Sequence, residues 1–356
     1  MKTDVWRKRL AEADERVLAA LNEHFALVYE FSERKKAEVA PLYEPAEDAA
    51  RLRRLCENNP GPMSNETLRA VYREIFSGAL AVGQPLKVAF LGPVSTFTHQ
   101  AALSRFGNSV KYLPQPSVAD VFEAVARDDV TYGVVPVENS SEGAVSHTLD
   151  MFSDSSLTIC AEITVRIHHN LLCDCEPAEV KVIYSHPQVF GQCRDWLRRN
   201  LPRVPLVEVS STAQAVARCK EEPQAAAVAG ILAAEQYNVP ARETNIEDVH
   251  DNTTRFLVLG KQPPEPCEDA KTSLVFAVRD RVGALYDCLR AFGNNGVNLT
   301  FIESRPSRRQ SWEYVFFVDI AGHVTDASVK RALTELEAEC QFVRILGSYP
   351  RGAEPV

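Results

Sequence analysis

The residues best placed to do chemistry lie in the run Asn252-Thr253-Thr254-Arg255-Phe256, which passes directly into the apolar strand Phe256-Leu257-Val258-Leu259 and stops at Gly260. A hydroxyl and a guanidinium at the mouth of a buried strand sit where α/β folds keep their ligand crevices. Three more polar clusters fall at predicted strand ends: Thr96-Phe97-Thr98-His99, Pro136-Val137-Glu138-Asn139-Ser140 and Ser185-His186-Pro187-Gln188. Together they describe one cleft lined with hydroxyls, amides and a carboxylate. Taken singly, each hydroxyl is accounted for equally well as a helix cap, and His186, just ahead of Pro187, equally well as a turn residue.

Composition limits what such a cleft serves. The chain has 356 residues, 45% hydrophobic and 24% charged, enough for two or three globular domains. A net charge of -9 without a basic stripe argues against nucleic acid as a partner. The N-terminal Met1-Lys2-Thr3-Asp4-Val5-Trp6-Arg7-Lys8-Arg9 has no apolar segment behind it, and no run approaches ~18 apolar residues, so a soluble, cytoplasmic protein with no membrane partner is expected. Nine scattered cysteines without a C-x-x-C pair predict reduced thiols, with neither disulfides nor zinc.

The elements that position the polar clusters begin at Leu86. Residues 1–84 read as helix: Leu10, Val17, Leu21, Val28 and Phe31 recur at helical spacing, predicting one long helix from Val5 to Lys36. Pro41 and Pro45 interrupt it, a second helix runs to Glu57, and Ser64 caps a third carrying Leu68, Val71, Tyr72, Ile75, Ala79 and Val82. Three such helices make a poor core alone, which predicts dimerisation through this region. Residues 86–262 alternate strand and helix in two βα lobes, and the strand at Phe256 is expected to return to the first lobe, leaving a cleft between them. The proline-rich stretch Gln262 to Asp269 predicts a linker. Residues 271–350 then follow the order βαββαβ, which is ferredoxin-like, with a basic tip at Arg305-Pro306-Ser307-Arg308-Arg309 and a strand starting at Trp312.

These motifs carry a resemblance. Gly92-Pro93, Val135-Pro136-Val137-Glu138-Asn139-Ser140-Ser141-Glu142-Gly143, Tyr184-Ser185-His186-Pro187-Gln188, Ser211-Thr212-Ala213 and Thr254-Arg255-Phe256 resemble, in order, the motifs of prephenate dehydratases. Gly283-Ala284-Leu285 and Glu303-Ser304-Arg305-Pro306 resemble the phenylalanine-binding ACT domain of the same enzymes, although Val282 stands where proline is usual. The N-terminal helices resemble the all-helical chorismate mutase fused to them in bifunctional P-proteins. The implied architecture is a helical mutase-like domain, a two-lobed α/β dehydratase domain like a periplasmic binding protein, and a βαββαβ regulatory domain. The resemblance implies decarboxylating dehydration of prephenate to phenylpyruvate, or of its amino analogue arogenate, in phenylalanine biosynthesis.

Aromatisation drives that reaction, so the resemblance implies no metal or organic cofactor. It implies Thr254 as donor to the departing hydroxyl, with Arg255, Phe256 and Glu138 in the catalytic group and Glu138 or His186 assisting from behind. Alternation of side chains along a strand equally allows Arg255 to face away from Thr254. Thr96, Thr98, Asn139, Ser140, Ser185, His186, Ser211 and Thr212 are the implied substrate-binding residues. Ser95 stands where the family carries glycine. Phenylalanine, as allosteric effector, would be enclosed at a subunit interface of a homodimer or homotetramer by Gly283, Ala284, Leu285, Asn298, Glu303, Ser304, Arg305 and Pro306. In the mutase-like domain the expected cations Arg7 and Lys35 are present, but His24 and Glu47 stand where arginines are expected and Val82 where glutamine is. The mutase is therefore expected to be degenerate. An active bifunctional enzyme and a non-catalytic amino-acid sensor are the alternatives.

Overall fold

The helically spaced apolar residues of the N-terminal stretch form α1 (Lys2–Glu38), followed by α2 (Pro45–Glu57) and α3 (Asn65–Gly83). The structure, a computed structural model, describes residues 2–38, 45–83, 86–306 and 314–352. The break at Pro41, the tip from Ser307 to Arg309 and the strand start at Trp312 lie outside the described residues. Ser64 caps α3 as expected, its Oγ accepting from Thr67 N (3.1 Å). These helices form one compact unit, residues 1–86 with 106–111, and the rest of the chain forms another. Along α1, Val5, Trp6, Leu10, Val17, Leu18, Leu27 and Phe31 remain exposed. Among the described residues no helix is long and apolar enough to cross a membrane.

The second unit opens with β1 (Lys87–Leu91), α4 (Phe97–Phe106), β2 (Lys111–Gln115), α5 (Val118–Ala126), β3 (Tyr132–Asn139), β4 (Gly143–Ala144), α6 (Ser146–Phe152) and β5 (Thr158–Arg166). The chain then crosses to a second lobe: β6 (Asn170–Leu172), β7 (Val182–Ser185), α7 (Pro187–Gln192), α8 (Arg194–Asn200), β8 (Leu206–Glu208), α9 (Thr212–Glu221), β9 (Ala225–Ala229), α10 (Ile231–Tyr237) and β10 (Ala241–Glu243). It returns as β11 (Thr253–Gly260), antiparallel between β3 and β5. The first sheet therefore runs β2-β1-β3-β11-β5 and the second β10-β6-β9-β7-β8. Because β11 comes back from the other lobe, the polar residues at its start are set beside the crossover.

The C-terminal module follows as β12 (Ala270–Val278), α11 (Ala284–Asn294), β13 (Leu299–Pro306), β14 (Tyr314–Ala321), α12 (Ala327–Glu339) and β15 (Cys340–Pro350), with sheet order β13-β14-β12-β15. Its helices cover one face. The other packs on the first lobe, where Val275, Phe317, Leu346 and Tyr349 share a core with Val137, Leu149, Phe152 and Leu257. At about 1.5–3 kcal/mol for each large apolar side chain buried, this face docks the module firmly. Thr158 Oγ1 donates to Leu346 O (3.0 Å), and a Cβ at Gly347 would meet Ile159 O at 2.3 Å, so only glycine lets the backbones approach. The prolines after Gln262 thus join two parts of one compact unit rather than separating free domains.

Candidate functional site

Register decides which polar residues share a face. On β11, Thr254 lies opposite Asn139 of β3, and Arg255 opposite Glu138. Successive side chains point to opposite faces of a sheet, so Thr254 and Asn139 form one pair and Arg255 and Glu138 another. Asn139 Nδ2 donates to Thr254 Oγ1 (2.8 Å) and to Asn252 Oδ1 (2.9 Å). The amide is held in that orientation, because Asn139 Oδ1 accepts from Ser141 N (2.9 Å). With its oxygen already accepting a hydrogen bond, the Thr254 hydroxyl keeps its proton for a further partner, and the accepted bond polarises the O–H. Ser140 closes the corner: its N donates to Thr253 O (2.9 Å) and its Oγ accepts from Thr253 N (3.0 Å). Phe256, two residues beyond Thr254, is buried on the same face.

Arg255 and Glu138 lie apart from that constellation, on the opposite face of the sheet from Thr254 and Asn139. Their side chains occupy the face that packs on the C-terminal module, and Arg255 Nε donates to Glu162 Oε2 (2.8 Å). Arg255 also lies 3.4 Å from Glu138 and donates to Asp319 and to the Tyr349 hydroxyl (3.2 Å). Burial works against the guanidinium's charge, but Tyr349, Asp319 and Glu162 outweigh it and its pKa is raised.

The remaining predicted site residues sort by whether their hydrogen bonds are already used. Thr96 caps α4, accepting from His99 N (3.3 Å) and donating to Leu91 O (3.2 Å). Ser211 caps α9 by accepting from Gln214 N (3.1 Å), and His186 caps α7 by accepting from Gln188 N (3.3 Å). Ser185 is fully buried and its hydroxyl donates to Val228 O (2.7 Å). Thr98 and Thr212, by contrast, lie in the first turns of α4 and α9, and their hydroxyls have no partner among the described residues. A free hydroxyl with the positive end of a helix dipole behind it suits a carboxylate.

The two lobes touch at this edge. Glu142, in the turn after β3, accepts from Gln188 and from Gln192 Nε2 (3.1 Å) of the second lobe. Phe97, at the start of α4, lies against Gly230 and edge-on to His169 (5.5 Å between centroids). Glu142, Gln192 and Asn252 were not singled out from sequence. Glu142 and Asn252 lie inside the motifs quoted above, and only their cross-lobe and cross-strand contacts distinguish them.

Ser95 adopts φ 66°, the left-handed region that favours glycine, and its buried hydroxyl has no hydrogen-bond partner. Its N–H donates to His99 Nδ1 (3.1 Å). This is the position where glycine was expected. Ser95→Gly should relieve about 1 kcal/mol of backbone strain and raise the melting temperature of the unit by about 2–4 °C, measured by calorimetry.

Burial lowers the pKa of His99, which stacks on Phe90 (4.5 Å), and of His169, whose Nε2 pairs with Gln192 Oε1 (2.7 Å). Both lie, in the folded state, below the ordinary histidine value of 6.5. The stability they contribute is therefore complete above pH 6.5 and is lost as pH falls through the lower folded values. The carboxylates of Glu162 and Glu247, whose pKa values are lowered from 4.5, act in a separate, more acid window. Melting temperature should fall between pH 7.5 and 5.5, and His169→Gln should flatten that slope, by at most about 1.4 kcal/mol per pH unit for the one proton.

In the C-terminal module, Gly283 takes φ 80° at the N-cap of α11, a conformation that glycine serves, with Ala284 and Leu285 following on the helix. Asn298 O accepts from Ala321 N (2.9 Å), while Glu303 and Ser304 lie on β13 and Pro306 ends it. Arg305, expected among the phenylalanine-site residues, makes its bonds to the first lobe. It engages Asp150 of α6 through two bonds (3.1 Å each) and Ser146 (2.9 Å), which spends its guanidinium on the first lobe.

In the helical unit, Arg7 is exposed beside Asp4 (3.5 Å), and Lys35 is buried over the ring of Phe31 (4.9 Å). Neither lines the pocket there, which is formed by His24, Ser32, Glu47, Asp48, Arg51 and neighbouring apolar residues. Val82 is exposed on α3 and does not line it.

Comparison with known proteins gives three family matches in chain order. A chorismate mutase type II model matches residues 6–84, a prephenate dehydratase model residues 88–264 and an ACT domain model residues 272–338. The bifunctional chorismate mutase/prephenate dehydratase of Stutzerimonas stutzeri is 44% identical over 352 residues, covering 97% of this chain and 96% of that protein. The enzyme of the same name from Aquifex aeolicus is 43% identical over 350 residues, covering 97% of each chain. Among solved structures, the prephenate dehydratase of Arthrobacter aurescens in complex with L-Phe superposes with a TM-score of 0.69 at 35% identity, over 75% of this chain and 90% of that one.

Proposed function

Because the chain belongs to the prephenate dehydratase family, in the form that carries a chorismate mutase-type domain ahead of it and an ACT domain behind, we propose that the Asn139–Thr254 pair is the centre of its dehydratase site. The domains divide as residues 1–84, 86–262 and 271–350. Prephenate loses its ring carboxylate as carbon dioxide; the electron pair enters the ring and expels the hydroxyl as hydroxide, which takes a proton from solvent to become water. Thr254 directs a hydrogen bond at that departing oxygen. A threonine hydroxyl is a weak acid, and the groups behind it are the amides of Asn139 and Asn252, not an acid relay. Its part is electrostatic stabilisation of the oxygen as it departs, not full proton transfer. Thr98 and Thr212, at helix N-termini in the two lobes, hold the carboxylates, with Ser140 at the corner.

The observation that carries this reading is the hydrogen bond from Asn139 Nδ2 to Thr254 Oγ1, which leaves the threonine proton to the substrate. Turnover of prephenate to phenylpyruvate by the purified chain tests it, and an amino-acid sensor would give none. Phenylalanine binds the ACT domain against Gly283, Ala284, Leu285, Asn298, Glu303 and Ser304 and slows the dehydratase. The exposed apolar face of α1 supports a homodimer or a homotetramer built from it. Chorismate mutase activity is weak or absent. The other reading, an active bifunctional enzyme, is supported at least as well, by the chorismate mutase type II match over residues 6–84, by the relatives named as bifunctional and by Arg51, a cation that lines the helical pocket one turn beyond Glu47.

A further inference from the structure

Every strand of the ACT sheet places a side chain against the Arg255 cluster. Asp319, on β14, accepts from the guanidinium, and so does its carboxylate from Ser273 Oγ on β12. Tyr349, on β15, lies 3.2 Å from the guanidinium and 2.6 Å from Ser273 Oγ. Phe301, on β13, presents its ring 5.7 Å from the guanidinium carbon. From the first lobe, Glu162 takes Arg255 Nε through the oxygen that also accepts from Lys271 Nζ (2.7 Å), and its other oxygen accepts from Gly352 N (2.7 Å). Asp319 and Glu162 are buried and Tyr349 is fully so. Buried charges tolerate few arrangements, because each must keep a partner.

The cluster stands between two places that matter. On one side, Arg255 is the chain neighbour of Thr254, and both are registered in the same stretch of β3 and β5. On the other, β13 carries the effector residues Glu303 and Ser304, and Thr300 Oγ1 on that strand donates to Asp319 O (3.2 Å). A shift of β13 against β14 therefore reaches two of the partners of the guanidinium, Phe301 directly and Asp319 through the ladder.

We infer that Arg255 is a positioning residue through which the ACT sheet sets Thr254: movement of Phe301 and Asp319 when phenylalanine binds is transmitted as a displacement of Arg255 and hence of the start of β11. This rests on the reading that phenylalanine binds the ACT domain and slows the dehydratase. It differs from docking alone, for which Arg305 bonds to Asp150 of α6 and Arg344 to the carbonyl of Ser155.

The test measures phenylalanine binding by calorimetry and prephenate turnover across phenylalanine concentrations, in the full-length protein and in two variants. Asp319→Asn keeps the shape and loses the charge; Phe301→Leu loses the ring contact and introduces no buried charge, so it carries the test should Asp319→Asn fail to fold. Both variants should bind phenylalanine within about threefold of the original chain and keep kcat within about threefold. The factor by which saturating phenylalanine slows turnover should fall by at least about tenfold, within the range of coupling energies between sites. Undiminished inhibition in a folded variant overturns the role of Arg255 while leaving feedback inhibition standing. If the unsubstituted chain binds no phenylalanine or is not inhibited by it, the reading beneath falls and this inference with it.

Discussion

Thr254→Val should fold, bind prephenate with a KM within about threefold of the original, and lose about 10²–10³-fold in kcat, the usual effect of deleting one donor that acts only on charge developing in the transition state. Valine replaces a hydroxyl by a methyl group at nearly constant volume, and Thr254 is only 9% exposed, so packing changes little. The half-buried amide of Asn139 loses an acceptor but retains Asn252 Oδ1 at 2.9 Å, which limits the cost to stability. Asn139→Ala should lower kcat less, by about tenfold, because the hydroxyl stays and only its orientation is lost. The double variant should be scarcely slower than Thr254→Val alone, since residues acting as one unit are not additive. Steady-state rates of phenylpyruvate formation decide this. Unchanged turnover in Thr254→Val would remove Thr254 from the reaction and return the chain's site to its other hydroxyls.

How much of this was legible in the sequence depends on whether the signal was local. The cap at Ser64 and the long first helix depend on nearby residues and were readable. The short strands Lys111–Gln115, Asn170–Leu172 and Ala241–Glu243 have no alternation of their own and exist because distant strands pair with them. The turn between the helices Pro187–Gln192 and Arg194–Asn200 falls at Cys193, whose ψ of 15° leaves the helical range, with Gly191 two residues before it as the only nearby helix-breaking residue.

The same division runs through the site. The period of two already allowed Arg255 to point away from Thr254, but nothing local said that Asp319, 64 residues further on, would meet it. The hydroxyls of Thr96 and Ser211 were visible as possible caps, yet their spent hydrogen bonds, and the unspent ones of Thr98 and Thr212, are properties of the folded backbone. Ser95 is the instructive case: its departure from glycine was visible, and its positive φ explains why glycine suits the position.

Chorismate should yield no phenylpyruvate under conditions where prephenate does, to within about a thousandfold in rate. Rearrangement of a dicarboxylate needs cations to clamp both carboxylates and the ether oxygen. In the helical pocket, His24 stands in place of an arginine, and burial followed by the nearby charge of Arg51 lowers its pKa, so it is neutral at pH 7 and no substitute for a guanidinium. Its Nε2 is buried without a hydrogen-bond partner. Arg51 supplies one positive charge, but Glu47 and Asp48 share the pocket with it, and Arg51 lies 3.8 Å from Asp48. A carboxylate about 4 Å from a substrate carboxylate costs about 4 kcal/mol at an effective dielectric of 20, which is roughly a thousandfold in binding. The replacement His24→Arg with Glu47→Arg should therefore raise chorismate turnover by at least about a hundredfold, while turnover of prephenate stays unchanged, because neither residue belongs to the dehydratase site. Chorismate turnover by the unsubstituted chain at an ordinary enzymatic rate would instead mean that Arg51 is a sufficient clamp and that Glu47 turns away from the substrate.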